Sequence, residues 1–487
     1  MRFMTTEVRK ITTVPIFLGG DFVEGATALE VRDPANDELV AITFQAGADE
    51  LERATLAAVE AFELTKRLPA YERRDALAHV ANCIERDAED LAVLLSRESG
   101  KPIKDARGEV ARGALTFRIA AEEATRINGE WLPLDWAPAN KGRHGIVRRY
   151  PIGPVAGISP FNFPLNLAAH KVAPAIAAGC SIVLKPPSKD PLSMLRVAEY
   201  LAETNLPKGA VSVLPMDRPT GDLMVGDDRF KLLSFTGSPS VGWKMKAEAG
   251  KKKVVLELGG NAGAIVDETA DLDWAVDRLV YGSFAYAGQV CISVQRIYVV
   301  RAIYDEFERR FVDRVRRVKV GNPLDADTDL GPMVDEKAVQ RTNGWVTDAL
   351  DAGARALVAG EPDGRWYSPT VLVDVPRDAM ICSEEAFAPV VNLFPVDSFE
   401  AAVRDINDSR FGLQCGVFTS SLDHTLLAHD ELEMGGIIVN DIPTWRTDAM
   451  PYGGVKDSGL GREGLRWSIE DMTEPRLLAF ARTPASR

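Results

Sequence analysis

The chain has 487 residues and is 46% hydrophobic, enough to bury large cores and to divide into two or three domains. Its 57 Lys and Arg stand against 71 Asp and Glu, and a net charge of −14 argues against a nucleic-acid binder, which would carry a basic face. The five cysteines, at 83, 180, 291, 382 and 415, form no C-x-x-C pair, and the five histidines show no ligand spacing, so no metal centre is expected.

In chain order, the N-terminus mixes Arg2, Glu7, Arg9 and Lys10 with no long apolar run, which reads against a signal peptide. Residues 49–64 and 72–95 each carry apolar positions at helical spacing and predict two amphipathic helices. Residues 128–149 fit no such series and suggest an arm or an edge strand that pairs with another subunit. Strands and helices then alternate: a strand at 155–158, a helix at 165–178 closed by Gly179, a strand at 181–184, a helix at 193–204 and a strand at 210–214. A strand at 230–235, a helix near 241–249 and a strand at 254–258 follow, and a second α/β series runs over 262–418. This alternation predicts parallel sheets covered by helices. The stretch after Glu474 again looks like an arm. The longest weakly polar run, 172–184, contains Pro174, Gly179 and Cys180 and is too short to span a membrane. The sparse, odd set of cysteines suits free thiols, so a soluble, cytoplasmic protein is expected.

Four segments carry candidate chemistry. In Phe284-Ala-Tyr-Ala-Gly-Gln-Val-Cys291, a cysteine follows a glycine-containing turn at an apparent helix start, where exposed amides favour a thiolate. A lone cysteine is more often a small core residue, and the residues alone leave both readings open. In Val254-Val-Leu-Glu257-Leu-Gly259-Gly260, a carboxylate ends an apolar strand, so it is either paired or perturbed for acid–base work. The glycine pair lets another segment or a ligand come close. In Ser159-Pro-Phe-Asn162-Phe-Pro164, the asparagine is a turn residue or a donor to an oxyanion. In 234–242, Ser238 can cap a helix that Pro239 opens, making an anion site, although the spacing is not the usual dinucleotide fingerprint. Lys185 ends a strand and can reach a ribose.

Taken together and in this order, these motifs resemble the aldehyde dehydrogenase superfamily over nearly the whole chain. The resemblance rests on Pro160-Phe-Asn-Phe-Pro164, Lys185-Pro, Phe235-Thr-Gly-Ser, Glu257-Leu-Gly-Gly, Gly288-Gln-Val-Cys291 and Glu385-Ala-Phe-Ala-Pro389, ending in Pro451-Tyr-Gly-Gly-Val-Lys-Asp-Ser-Gly459. It implies an α/β fold with a variant doubly wound NAD(P)-binding domain (1–126 and 149–259) and an α/β catalytic domain (260–473). An oligomerisation arm (127–148 and 474–487) would complete a homodimer or homotetramer. It further implies that Cys291 attacks a small-molecule aldehyde, that Asn162 and the Cys291 amide hold the oxyanion, and that Glu257 activates water against the resulting thioester. The cofactor, NAD or NADP, would lie against Ile158, Ser159, Pro160, Phe161, Lys185, Pro187, Ser188, Phe235, Gly237, Ser238, Val241 and Leu258. Glu385 would hold its nicotinamide ribose, with Phe387 beside the ring.

Relatives that pass the acyl group to coenzyme A generally lack the glutamate matching Glu257, so its presence favours hydrolysis over an acylating activity. Ser188 stands where many NAD-preferring members have a glutamate, which admits NADP; Arg218 can pair with a 2′-phosphate or simply lie on the surface. The resemblance draws the substrate pocket from Arg112, Phe163, Val290, Ile292, Trp445 and Arg446. The stretch 439–452 resembles a branch acting on small hydroxylated or phosphorylated aldehydes, lactaldehyde and glyceraldehyde 3-phosphate among them. Arginines there would favour an anionic or polar tail, although surface ion pairs explain such residues equally well.

Overall fold

The computed structural model describes residues 12–481, so the outer ends of the first domain and of the arm, 1–11 and 482–487, lie outside the described residues. Two sheets dominate. The first runs in the spatial order Asp21–Val23, Ile16–Leu18, Val211–Val213, Ile182–Lys185, Val155–Ile158, Leu232–Thr236, Lys253–Glu257, Gly459–Leu460. Its five central strands are parallel. Their chain order reverses between Val155–Ile158 and Leu232–Thr236, a doubly wound topology whose switch point opens a crevice at the strands' C-terminal ends. The helix Asn166–Ala178 is buried along its whole length, as its almost uninterrupted apolar sequence demands, and Gly179 ends it with φ +86°.

The second sheet has seven strands in the order Arg355–Val358, Thr370–Val373, Val390–Val396, Val294–Val300, Ala262–Val266, Gln414–Phe418, Gly436–Val439. Only the first of these is antiparallel to its neighbour. The chain crosses from the first sheet to the second within four residues, between Glu257 and Ala262. It then comes back. Gly459–Leu460 pairs with Lys253–Glu257, placing Gly459 opposite Glu257, and the helix Leu465–Asp471 packs on Asn166–Ala178. Part of the segment expected in the second domain therefore builds the first.

One further expectation needs correction. The single helix over 72–95 is two, Ala70–Arg86 and Ala88–Ser99, broken at Asp87. The Asp87 carboxylate there accepts hydrogen bonds from Arg86 and from the Tyr200 hydroxyl, 2.7 Å away. The two arm pieces also pair with each other: Thr473–Ala481 runs antiparallel to Arg143–Pro151, whose other edge takes Glu130–Pro133. This leaves Thr473–Ala481 at the edge of a three-stranded sheet, with Leu477, Leu478 and Phe480 exposed. No helix among the described residues is long and apolar enough to cross a membrane.

Candidate active site

Cys291 does not start a helix. It lies in a turn after the 3₁₀ segment Ala285–Gly288, and the next element is the strand Val294–Val300. Tyr286, Ala287 and Gly288 all have positive φ, and a Cβ on Gly288 would meet the Ala388 carbonyl oxygen at 2.1 Å. The turn is thus tight and backbone-packed, and helix amides do not activate this thiol. Burial pushes the Cys291 thiol up to about 12, opposed by a hydrogen bond with Tyr452, whose hydroxyl lies 3.1 Å from Sγ. Phe163, Tyr286, Val290, Ile292, Leu413 and Tyr452 form the apolar cluster around it.

The glycine pair after Glu257 acts as its sequence suggests. A Cβ on Gly260 would stand 2.6 Å from the Cys291 carbonyl oxygen, and one on Gly259 would stand 2.2 Å from the Glu385 carboxylate. These glycines let the Cys291 turn and Glu385 close onto the end of the Glu257 strand. Asn162 is buried, and its side-chain amide donates to the Gln289 carbonyl at 3.0 Å, two residues before Cys291. Glu257 is buried, and neither of its carboxylate oxygens has a hydrogen-bond partner. Desolvation raises its pKa well above the usual value and nearby Glu463 adds to this, while Arg446, Lys171 and Arg462 pull the other way. Such a carboxyl holds its proton tightly and is a strong base once ionised.

Sequence reasoning missed the groups behind this site. Lys171 donates to Ser234 and Thr236, at 3.2 and 2.8 Å. Glu463 accepts from Arg446 at 2.8 Å. The signal for Lys171 was a lone lysine in an otherwise apolar helix; Glu463 gave none. A chain of contacts leads outward from the thiol. The Arg446 guanidinium lies 3.8 Å from the centre of the Tyr452 ring and 3.2 Å from His170 Nε2. His170 meets Asp448 at 2.8 Å, and Arg112 donates to Asp448 at 2.7 Å. Burial alone would raise the Asp448 carboxyl, yet His170 and Arg112 hold it well below its usual range. The Arg112 side chain is 30% exposed and that of its carboxylate partner only 1%. The Arg446 side chain is buried, and its Nε has no hydrogen-bond partner; Trp445 is exposed.

The switch-point crevice gathers most of the expected cofactor residues. Ile158 and Phe235 are buried at neighbouring strand ends, and the buried Ser159 Oγ has no hydrogen-bond partner. Helix Pro239–Glu248 begins beyond Gly237, with Val241 in its first turn. Ser238 stands at its N-cap without the side-chain hydrogen bond expected of it. Leu258 is buried just past Glu257. Burial lowers the Lys185 ammonium, against the pull of Asp217. Pro187 is buried; Ser188 donates to the Met216 carbonyl at 3.0 Å, and Arg218 is exposed at the start of the helix Arg218–Gly226. Glu385 accepts from the Gly260 amide at 3.1 Å, and burial lifts its carboxyl to about 7. Phe387 has φ +49° and meets Phe161 edge-on, 5.8 Å between ring centres. Pro160 lies between Ser159 and Phe161 on the loop leaving Val155–Ile158. An orphaned hydroxyl, an open helix N-terminus and a desolvated lysine around one crevice fit a dinucleotide with phosphate and ribose groups.

The model of the aldehyde dehydrogenase family matches residues 22–478. A 3-sulfolactaldehyde dehydrogenase of Priestia aryabhattai is 40% identical over 476 residues, 98% of this chain and 99% of its own. A lactaldehyde dehydrogenase of Methanocaldococcus jannaschii is 38% identical over 96% of this chain and 100% of its own. Among solved structures, aldehyde dehydrogenase 21 from Physcomitrella patens, in complex with the reaction product succinate, superposes with a TM-score of 0.96. It is 46% identical and covers 98% of this chain and 100% of its own. The glyceraldehyde-3-phosphate dehydrogenase GapN from Methanocaldococcus jannaschii, complexed with NADP, gives 0.89 at 38% identity over 93% and 99%. Motif order and the twin-sheet fold agree with these likenesses: the chain belongs to the aldehyde dehydrogenase family.

Proposed function

We propose that the chain oxidises a small aldehyde with an anionic or polar tail to the carboxylic acid, with NAD or NADP as co-substrate. The observation that carries this is the packing of Cys291 against Phe163 and Tyr452, with the Asn162 amide on the Gln289 carbonyl two residues before it and the Glu257 carboxyl near enough to act on the thiol. Once its S–H proton has passed to solvent, the Cys291 sulfur forms a bond to the carbonyl carbon, and the carbonyl electron pair moves to oxygen, held by the Asn162 amide and the Cys291 N–H. Losing one such donor costs roughly 3–4 kcal/mol of transition-state stabilisation. The nicotinamide ring, when bound, supplies the hydride acceptor that turns this adduct into a thioester on Cys291. Glu257 then takes a proton from water, the water oxygen bonds to the acyl carbon, and the carbon–sulfur bond breaks to release the acid. The presence of Glu257, a base that can take a proton from water, favours water as the acyl acceptor over coenzyme A.

The tail would meet Arg112 and Arg446. Two of the reported likenesses support an anionic tail: one relative is named for 3-sulfolactaldehyde, and one solved structure holds succinate. Arg218, exposed at the start of its helix, would pair with a 2′-phosphate and so admit NADP. The test is steady-state kinetics on succinic semialdehyde, lactaldehyde, glyceraldehyde 3-phosphate and propanal, with NAD and NADP in parallel, for wild type, Cys291→Ala and Arg112→Met. Cys291→Ala should be inactive on every substrate. Arg112→Met should lose well over tenfold in kcat/KM for the anionic aldehydes and little for propanal, because truncating a buried charge contact costs about 2–5 kcal/mol. Equal small losses across the panel would retire the anionic-tail reading and leave the reaction itself standing.

A further inference from the structure

Away from the active site, three side chains of metal-ligand type meet at the surface. His79 and Cys83 lie one turn apart on the helix Ala70–Arg86, and Glu203, at the C-cap of Leu192–Ala202, reaches across to both. The His79 Nε2 to Glu203 Oε2 distance is 2.9 Å, Cys83 Sγ to His79 Nε2 is 3.4 Å, and Cys83 Sγ to Glu203 Oε2 is 3.8 Å. A tetrahedral zinc ion with bonds of about 2.3 Å to sulfur, 2.0 Å to nitrogen and 2.1 Å to oxygen holds its ligand atoms about 3.4–3.6 Å apart. The observed triangle departs from that figure by no more than a small side-chain rotation. Cys83 is buried beneath the other two, whose side chains are 40% and 51% exposed, so an ion can enter from solvent and find the sulfur behind it. A cavity of about 540 Å³ opens on His79 and Glu203; Glu72 and Asp75 add carboxylates to its wall and no lysine or arginine lines it, while the Arg86 charge acts on Cys83 outside that lining. The sequence hides the site because its third ligand stands 120 residues from Cys83.

We propose that His79, Cys83 and Glu203 bind one zinc-class divalent transition ion, with solvent as the fourth ligand. A thiolate and an imidazole select such an ion over Mg²⁺ or Ca²⁺, which prefer all-oxygen sites. Binding breaks the Cys83 S–H bond, forms a sulfur–metal bond and releases that proton to the buffer. It also ties Ala70–Arg86 to the end of Leu192–Ala202, so the ion stabilises the folded chain.

The test titrates Co²⁺ into chelator-treated full-length Cys291→Ala protein, which removes the catalytic thiol from the signal. One Co²⁺ per chain should bind with a thiolate-to-metal absorption band and release about one proton. Zn²⁺ should displace it and raise Tm; Mg²⁺ and Ca²⁺ should do neither. Cys83→Ser in the same background should abolish the band. Glu203→Gln, a surface change, should keep the circular dichroism spectrum and weaken binding by at least about tenfold. That variant decides the matter if Cys83→Ser fails to fold. A titration without a stoichiometric band, a band that survives Cys83→Ser, or an affinity unchanged by Glu203→Gln would each overturn the site.

Discussion

At the scale of single residues, burying a carboxyl with neither oxygen hydrogen-bonded is costly, and Glu257 is such a group. Its pKa is raised well above the usual 4.5 in the folded chain, so between 4.5 and the folded value the unfolded chain is ionised while the folded one keeps its proton. Stability present below pH 4.5 is therefore lost as pH rises toward the folded value, at about 1.4 kcal/mol per pH unit. Glu257→Gln cannot ionise, so thermal scans from pH 5 to 8 should show the variant gaining on wild type as pH rises; parallel curves would refute this. Tyr452 is the second case. Its hydroxyl opposes the rise of the Cys291 thiol, and a hydrogen bond to a charged sulfur is worth roughly 1.5–3 kcal/mol. Tyr452→Phe should slow iodoacetamide alkylation of Cys291 about tenfold at fixed pH, read by peptide mass spectrometry; equal rates would remove Tyr452 from thiol activation. Glu257 was legible because a charge ending an apolar strand is anomalous wherever it occurs. Cys291 was legible through its motif, but the local argument from a helix start failed, since the turn before it folds back with positive φ. Tyr452 and Glu463 had no local anomaly and gain their meaning only where distant segments meet.

At the scale of elements, the loop bearing Asn162 is held by a buried ion pair. Lys101 pairs with Glu109 on the helix Ile103–Ala124 and donates to the Asn162 carbonyl at 2.8 Å. Glu109 in turn accepts from the Leu165 and Asn166 amides, at 3.0 and 3.1 Å, where Asn166–Ala178 begins. Breaking such a pair strands a buried charge and costs roughly 3–5 kcal/mol. Lys101→Met should lower stability on that scale. It should also cut kcat about tenfold or more with KM nearly unchanged, because the amide shifts from where an oxyanion forms. Lys101→Met combined with Glu109→Gln should recover much of the stability but not the kcat. If kcat returns with stability, the pair has no positioning role. The five central strands of the first sheet were readable within a residue or two because their apolar runs are short and end near Gly or Pro, whereas its edge strands Asp21–Val23, Ile16–Leu18 and Gly459–Leu460 and the helix Arg218–Gly226 were not. The break at Asp87 was not, because a partner of its carboxylate is a tyrosine more than a hundred residues later.

At the scale of the whole molecule, the nine residues of Thr473–Ala481 pair on one edge only and expose Leu477, Leu478 and Phe480. A long apolar edge strand invites another chain, and a symmetric oligomer is the expected way to close it. Leu478→Lys should lower the assembly state in sedimentation analysis while leaving the circular dichroism spectrum intact; an unchanged sedimentation coefficient would move the interface elsewhere. The return of Gly459–Leu460 to the first sheet has a different consequence, one of kinematics. The chain crosses between the sheets in both directions beside the same strand, so Glu257 is pinned from two sides. Both pairings lie within the first sheet, so Gly459 stays opposite Glu257 whatever the second sheet does, and any hinge between the sheets has two chain crossings to bend and not one.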